Sequence, residues 1–311
     1  METGPDTGLK AGARFAGYRV EGLLARGGMG VVYRARAEPS GRVVALKVIA
    51  AEMADDALFR RRFERETRLA AELHHPNVVP FVDSGVYEGT LFIATQLIDG
   101  LNLHEVLASE GPLSARTSAR LVEQIASALD AAHARGLLHR DVKPGNILLE
   151  GPPPEATAYL ADFGLSKHVL STSGLTRAGQ WVGTIDYAAP EQIQAMDVGH
   201  LVDVYALGCV LFEMLTGEIA FARAREVQKM IAHISEAPPD VSGRCAHMGA
   251  FDPVIQRALA KSPDDRYTSA GELARAAIEA AAQVGDDETR DAPRGDPPPP
   301  RSPASAPTAP R

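Results

Sequence analysis

Hydrophobic and polar positions change period along this chain, and the change divides it. Residues 18–24 read Tyr-Arg-Val-Glu-Gly-Leu-Leu, and Val31-Val32-Tyr33 follows a cluster of glycines, Gly27, Gly28 and Gly30. Two β-type runs around glycines predict a hairpin whose tip lets backbone approach a ligand closely. Residues 43–49 predict another strand, and period-two alternation puts Ala45 and Lys47 on one face, Leu46 and Val48 on the other. The spacing then becomes helical over 58–73, where Phe59, Phe63, Ala70 and Leu73 make a stripe on which Glu66 also falls. Asp55 and Asp56 stand as N-cap and first-turn residues for it. Residues 90–97 predict a further strand.

Beyond residue 100 helical spacing dominates. Residues 101–138 predict two helices, the second capped by Ser114, with Leu121, Ile125, Ala128, Leu129 and Ala132 as its stripe and Gly136 as its end. Residues 151–157 read as a proline-rich turn between two strands. Residues 201–216 are apolar nearly all round and predict a buried central helix stopped by Gly217; Asp203 inside it requires hydrogen-bond partners. A last amphipathic helix is expected over 269–283. Residues 1–12 read as a flexible lead. The chain from about residue 284, rich in charge and then in proline, reads as a disordered or polyproline linker.

Composition narrows the function. The chain has 311 residues, 45% of them hydrophobic and 23% charged, ordinary for a soluble globular protein. Its net charge of -8 argues against general nucleic-acid binding. No apolar run is long enough for a membrane span. Two cysteines, Cys209 and Cys245, make a disulfide framework unexpected and suit a reducing cytoplasm.

The candidate chemistry lies between the two helical regions. His139-Arg140-Asp141-Val142-Lys143-Pro144-Gly145-Asn146 is followed by Asp162-Phe163-Gly164. Phosphoryl transfer requires a carboxylate beside an attacking hydroxyl, oxygen ligands for magnesium and positive charge on the moving phosphate. Asp141 can accept the proton. Asn146 and Asp162 offer the hard oxygens magnesium prefers, and Lys143 offers charge. Lys47, on an apolar strand, needs an anionic partner.

These strings resemble the catalytic and magnesium loops of protein kinases, and the glycine hairpin resembles their nucleotide loop at Gly27, Gly30 and Val32. Ala25 stands where that family's first loop glycine is expected. The segment Trp181-Val182-Gly183-Thr184-Ile185-Asp186-Tyr187-Ala188-Ala189-Pro190-Glu191 resembles the end of the family's activation segment. Residues 13–283 are most similar to the bacterial eukaryotic-like serine/threonine kinases.

The resemblance implies an α+β, bilobal protein-kinase-like fold. A small β-rich N-lobe with one main helix would span 13–98, and a larger, mostly helical C-lobe 99–283. It implies that Lys47 contacts nucleotide phosphates and pairs with Glu66. It places Leu24, Val32, Ala45, Thr95, Gln96, Ile98 and Leu148 around adenine, and pairs Arg266 with Glu191. It gives Asp203 the task of holding the catalytic loop. Lys143 and Thr184 imply a serine/threonine acceptor, and Arg140 implies activation by phosphorylation, with Thr176 first and Ser171, Thr172 and Ser173 as further acceptors. The implied cofactors are ATP and Mg2+, with Mn2+ as an alternative. The implied partners are protein substrates and a second copy of the chain for autophosphorylation. The implied setting is the cytoplasm, as a separate enzyme or the cytoplasmic part of a membrane-anchored kinase. A pseudokinase scaffold and a small-molecule kinase are the rival readings.

Overall fold

The alternating runs at the start of the chain pair as a single antiparallel sheet. A computed structural model describes residues 8–27, 29–50, 57–163 and 185–284. Strands β1 (Arg14–Phe15), β2 (Tyr18–Gly27), β3 (Gly30–Ala37), β4 (Val43–Ile49), β5 (Phe81–Tyr87) and β6 (Thr90–Gln96) assemble in the order β1-β2-β3-β4-β6-β5. Register places Val32 opposite Lys47, and Ala45 opposite Thr95. Val44, Leu46 and Val48 point into a cluster with Val20, Val31 and Tyr33, so Ala45 and Lys47 are left on the opposite, half-buried face. Helix α1 (Ala57–Glu72) packs Phe59 and Phe63 on Ile49, Leu91 and Ile93.

A second body follows. Strands β7 (Leu101–Asn102), β8 (Ile147–Glu150) and β9 (Thr157–Leu160) form a three-stranded sheet in that order. Around it lie α2 (Leu103–Glu110), α3 (Ala115–His133), α4 (Pro190–Ile193), α5 (Leu201–Thr216), α6 (Glu226–Ser235), α7 (Asp252–Ala258) and α8 (Ala270–Val284). Asn102 caps α2 in a reciprocal box with Glu105, and Ser114 caps α3 by accepting from the Thr117 amide. Helix α5 is buried from 202 to 215 and ends at left-handed Gly217 (φ 73°), as its all-round apolarity requires.

The two bodies are stitched by the turn at 75–79. The Asn77 side-chain amide donates to the Ala158 carbonyl (2.9 Å) and to Gln124 Oε1 (3.0 Å), and the Leu160 and Val79 amides exchange bonds with the Asn77 and Leu160 carbonyls. Gly100 sits so close to β8 that a Cβ there would lie 1.9 Å from the Leu149 carbonyl oxygen.

Three expectations need correction. The lead is shorter than 1–12, because Leu9 packs on the first sheet's core and the Gly12 amide donates to the Val20 carbonyl. Helix α3 ends at His133 rather than Gly136; Gly136 instead takes the left-handed position (φ 71°) in the turn after it. The Lys47–Glu66 pair is not formed, for reasons given with the site. Asp55, Asp56, Gly28, Gly164, Thr184, the candidate phosphate acceptors and the linker from 285 onward lie outside the described residues.

Candidate active site

The catalytic loop is held from below by one carboxylate. Asp203 is fully buried on α5; its Oδ1 accepts from the Arg140 amide (2.6 Å), and its Oδ2 accepts from the His139 amide (2.9 Å) and His133 Nε2 (2.7 Å). Burial pushes this carboxyl up, but the His133 and backbone donors outweigh it and hold the group below the usual carboxylate range. Arg140 is thereby kept left-handed (φ 63°), a conformation that ordinarily disfavours a branched side chain.

His139 carries that restraint to both functional carboxylates. Its Nδ1 accepts from the Asp141 amide (3.2 Å), and its Nε2 donates to the Ala161 carbonyl (2.7 Å), immediately before Asp162. Its ring stacks edge-on against Phe163 with centroids 4.9 Å apart. Asp162 is also left-handed (φ 61°).

Four of the residues that sequence reasoning singled out converge here. Asp141 Oδ2 accepts from Lys143 Nζ (2.7 Å) and from Asn146 Nδ2 (3.1 Å), and the same Asn146 nitrogen donates to the Asp141 carbonyl (2.8 Å). The Asn146 carbonyl accepts the Ala161 amide (2.9 Å), so the loops bearing Asn146 and Asp162 are bonded side by side. Because Asn146 spends its nitrogen on Asp141, its amide oxygen is the atom available to a cation. With one oxygen of Asp162 it makes the hard-oxygen pair that suits magnesium, which commonly takes only one or two protein ligands and completes its shell with phosphate and water. Among the described residues no group of three or more His, Cys, Asp or Glu could hold a metal ion.

Lys47 reaches across from the first sheet to Asp162, Nζ to Oδ2 at 2.8 Å. Partial burial raises the Asp162 carboxyl, but the Lys47 charge and hydrogen bond prevail and hold it below its usual range. Glu66, the partner expected for Lys47, instead faces Arg140, with Oε1 3.8 Å from a guanidinium nitrogen. The physical reason is competition. Asp162 gives the ammonium a direct bond, while Glu66 sits in a poorly hydrated site that pushes its carboxyl up to about 7 despite the opposing charges of Arg140, Arg62 and Arg65. A cavity of about 60 Å³ lies between α1, β6 and the Asp162–Phe163 turn, with Thr67, Ile93 and Thr95 on its walls. Arg140 is correspondingly undersupplied with anions: burial lowers its pKa against the pull of Glu66 and Asp203, and its Nε has no hydrogen-bond partner among the described residues.

The sheet residues expected around a nucleotide base fall in one region. Val32, Ala45 and Leu148 are half-buried, Thr95 lies opposite Ala45 on β6, and Ile98 is buried in the connection that follows. Leu24 is largely exposed beside a bulge in β2. The two described loop glycines differ. A Cβ on Gly30 (φ 150°) would lie 2.0 Å from the Val48 carbonyl oxygen, so the sheet itself demands glycine. A Cβ on Gly27 would meet nothing within 4 Å among the described residues, so the sheet places no such demand there.

The outer ends of the platform are pinned by ion pairs. Arg266 and Glu191 make two parallel bonds of 2.7 and 2.8 Å, both buried, as the resemblance implied. Tyr187 donates to Glu213 (2.6 Å), and Lys229 on α6 meets Asp186 (2.6 Å). These last contacts, the Arg140–Glu66 contact and the His133 bond were not foreseen. No spacing in the sequence marks them, since each joins residues far apart along the chain.

A bilobal body, a glycine hairpin over a lysine, and the Asp141–Asn146–Asp162 cluster together match one family: the protein kinase domain profile covers residues 18–278. The chain belongs to the protein kinase family. It is 44% identical over 276 residues to the serine/threonine-protein kinase PknJ of Mycobacterium tuberculosis, covering 88% of this chain and 46% of that protein. It is 42% identical over 283 residues to PknE of the same organism, covering 91% of this chain and 49% of that protein. The chain thus spans about half the length of the curated relatives it matches. Among solved structures, the kinase domain of Mycobacterium tuberculosis PknI superposes with a TM-score of 0.71 at 34% identity, covering 88% of this chain and 99% of that one. This is a kinase domain of the bacterial, eukaryotic-like serine/threonine type.

Proposed function

We propose that this kinase domain transfers the γ-phosphoryl group of ATP to serine or threonine hydroxyls of proteins, including its own. The observation that carries the reading is the convergence on Asp141. Its carboxylate is paired with Lys143, oriented by Asn146, and tied through His139 to the loop whose carboxylate Lys47 reaches from the other lobe. Asp141 takes the proton of the attacking hydroxyl as its oxygen bonds to phosphorus and the bond to ADP breaks. Lys143 offsets the charge on the transferred group. Lys47 leaves Asp162 for the nucleotide phosphates, with Glu66 turning from Arg140 to brace it. Asn146 and Asp162 would hold magnesium, which supplies charge neutralisation along the triphosphate. Positioning and preorganised charge supply most of the acceleration. Thr184, which the family resemblance places beside the acceptor, joins this assignment. Nothing in the site favours a non-catalytic scaffold, since every charged group the reaction needs is present.

Arg140 supports a regulated state. A part-buried guanidinium whose ion pair to Glu66 is long and whose Nε has no hydrogen-bond partner among the described residues is a site for a stronger anion, and a phosphate on Thr176 is proposed to be that anion, with Ser171, Thr172 and Ser173 as secondary phosphate acceptors. Transfer between two copies would supply it. Among the described residues no helix is long and apolar enough to cross a membrane, and Cys209 and Cys245 are both free thiols, which suits a cytoplasmic location.

The test is intact-mass measurement before and after incubation with Mg-ATP, with Asp141→Asn and Lys47→Met alongside. Added phosphate masses in the wild type alone, mapping to 171–176, are the expected result. Both variants should retain wild-type thermal unfolding while losing at least about a hundredfold in transfer rate. Unmodified wild type that still binds nucleotide would overturn the reading.

A further inference from the structure

The lysines of this chain are Lys10, Lys47, Lys143, Lys167, Lys229 and Lys261, of which Lys167 lies outside the described residues. Three of them face carboxylates at bonding distance: Lys47 meets Asp162 (2.8 Å), Lys143 meets Asp141 (2.7 Å) and Lys229 meets Asp186 (2.6 Å). Lys10 is exposed to water. Lys261, just past α7, fits neither pattern. It is half-buried, and among the described residues it makes no ion pair.

Its ammonium lies among rings instead. Nζ stands 4.2 Å from the centre of the Phe221 ring and 6.0 Å from that of Tyr205 on α5, and donates one long hydrogen bond, 3.3 Å, to the Ala232 carbonyl on α6. An ammonium has three N–H donors, and ring faces are weak partners for the two left over. No neighbouring charge supplies the missing acceptor. Arg266 lies 4.9 Å over the same Tyr205 ring and repels. Glu236, after α6, is bonded to Arg223. Tyr205 stays neutral, its hydroxyl bonded to His233 (2.8 Å), and burial likewise keeps the Cys209 thiol on α5 neutral. Burial therefore dominates and lowers the Lys261 pKa to about 8; Arg266 adds to the fall, and Glu236 opposes it without prevailing. At pH 7.5 about a quarter of such amines are neutral, against about one in a thousand for an ordinary lysine.

We propose that Lys261 is an acylation site: its under-bonded amine takes the acyl group of an activated donor, an acyl phosphate or an acyl thioester. The Nζ lone pair attacks the donor's carbonyl carbon and forms a C–N bond. The carbon–oxygen bond to phosphate, or the carbon–sulfur bond of the thioester, breaks, and the leaving group keeps that electron pair. The amine proton passes to solvent, and nothing is oxidised or reduced. The product amide carries no charge, so Phe221 and Tyr205 lose the cation between them and α6. Nothing in the step depends on phosphoryl transfer by this chain.

The test incubates the full chain with acetyl phosphate and, separately, with acetyl-coenzyme A, and follows acetylation of each lysine by peptide mass mapping. Lys10 is the exposed internal reference. At pH 7.5 Lys261 should be acetylated at least about tenfold faster than Lys10, since the lower basicity of its amine takes back only part of the gain in free base. Its rate should level off above about pH 9, once the amine is fully neutral. In urea that unfolds the chain the preference should fall to about onefold, because the burial that sets it is gone. A preference seen with one donor only upholds the site and identifies the source of the acyl group. Equal rates at Lys261 and Lys10 in the folded chain with both donors would overturn the proposal. So would a preference for Lys261 that persists undiminished in urea.

Discussion

Glu66 shows most clearly how a single residue's state depends on its surroundings. A carboxylic acid in water titrates near 4.3, yet burial lifts this one to about 7 even with three arginines nearby. Its folded-state pKa is raised, so the folded chain holds the proton more tightly than the unfolded chain does. The contribution to stability is fully present below about 4.3 and is lost as pH rises through about 7. Between pH 5 and 8 the wild type should therefore lose thermal stability relative to Glu66→Gln, whose amide does not titrate. Parallel melting curves across that range would contradict the assignment. The same ionisation makes Glu66 a better partner for Lys47, so alkaline conditions favour the exchange that the proposed mechanism calls for.

At the scale of elements, the glycine hairpin separates two demands that look alike in sequence. Gly30 is required by the β3–β4 ladder, where a Cβ would strike the Val48 carbonyl; Gly27 is under no such constraint. Gly30→Ala should cost about 1–3 kcal/mol through strain and overpacking. Gly27→Ala should leave the unfolding midpoint nearly unchanged and raise KM for ATP severalfold, because a methyl at the tip stands where the ligand approaches. Denaturant titration beside nucleotide-dependent kinetics reads both. Equal losses of stability in the two variants would mean that Gly27 also serves the fold.

At the scale of the molecule, the Arg266–Glu191 pair ties the segment that follows the activation region to the far end of the helical lobe. Both side chains are buried, and the arginine also donates to the Ala260, Lys261 and Leu201 carbonyls. Removing one member leaves an uncompensated buried charge, a loss of about 3–5 kcal/mol. Arg266→Met should accordingly unfold at markedly lower denaturant, and Glu191→Gln should lose less, because its amide oxygen can still accept one of the bonds. A midpoint in Arg266→Met equal to wild type would show that the pair is dispensable.

Much of this architecture is local, and local features were legible. Period-two alternation gave Lys47 its face, the all-round apolarity of α5 gave its burial and its end at Gly217, and Ser114 marked the start of α3. The string from His139 to Asn146 announced its chemistry because transfer to a hydroxyl needs those groups within a few residues of one another. What tertiary structure alone decided is which charge meets which. Lys47 had two candidate carboxylate partners, and sequence offered no measure of how water is excluded around each. In this structure Lys47 is bonded to Asp162, the desolvated Glu66 faces Arg140, and His133 reaches the carboxylate beneath the catalytic loop. Such pairings depend on distance and dielectric across the fold, quantities that no periodicity along the chain encodes.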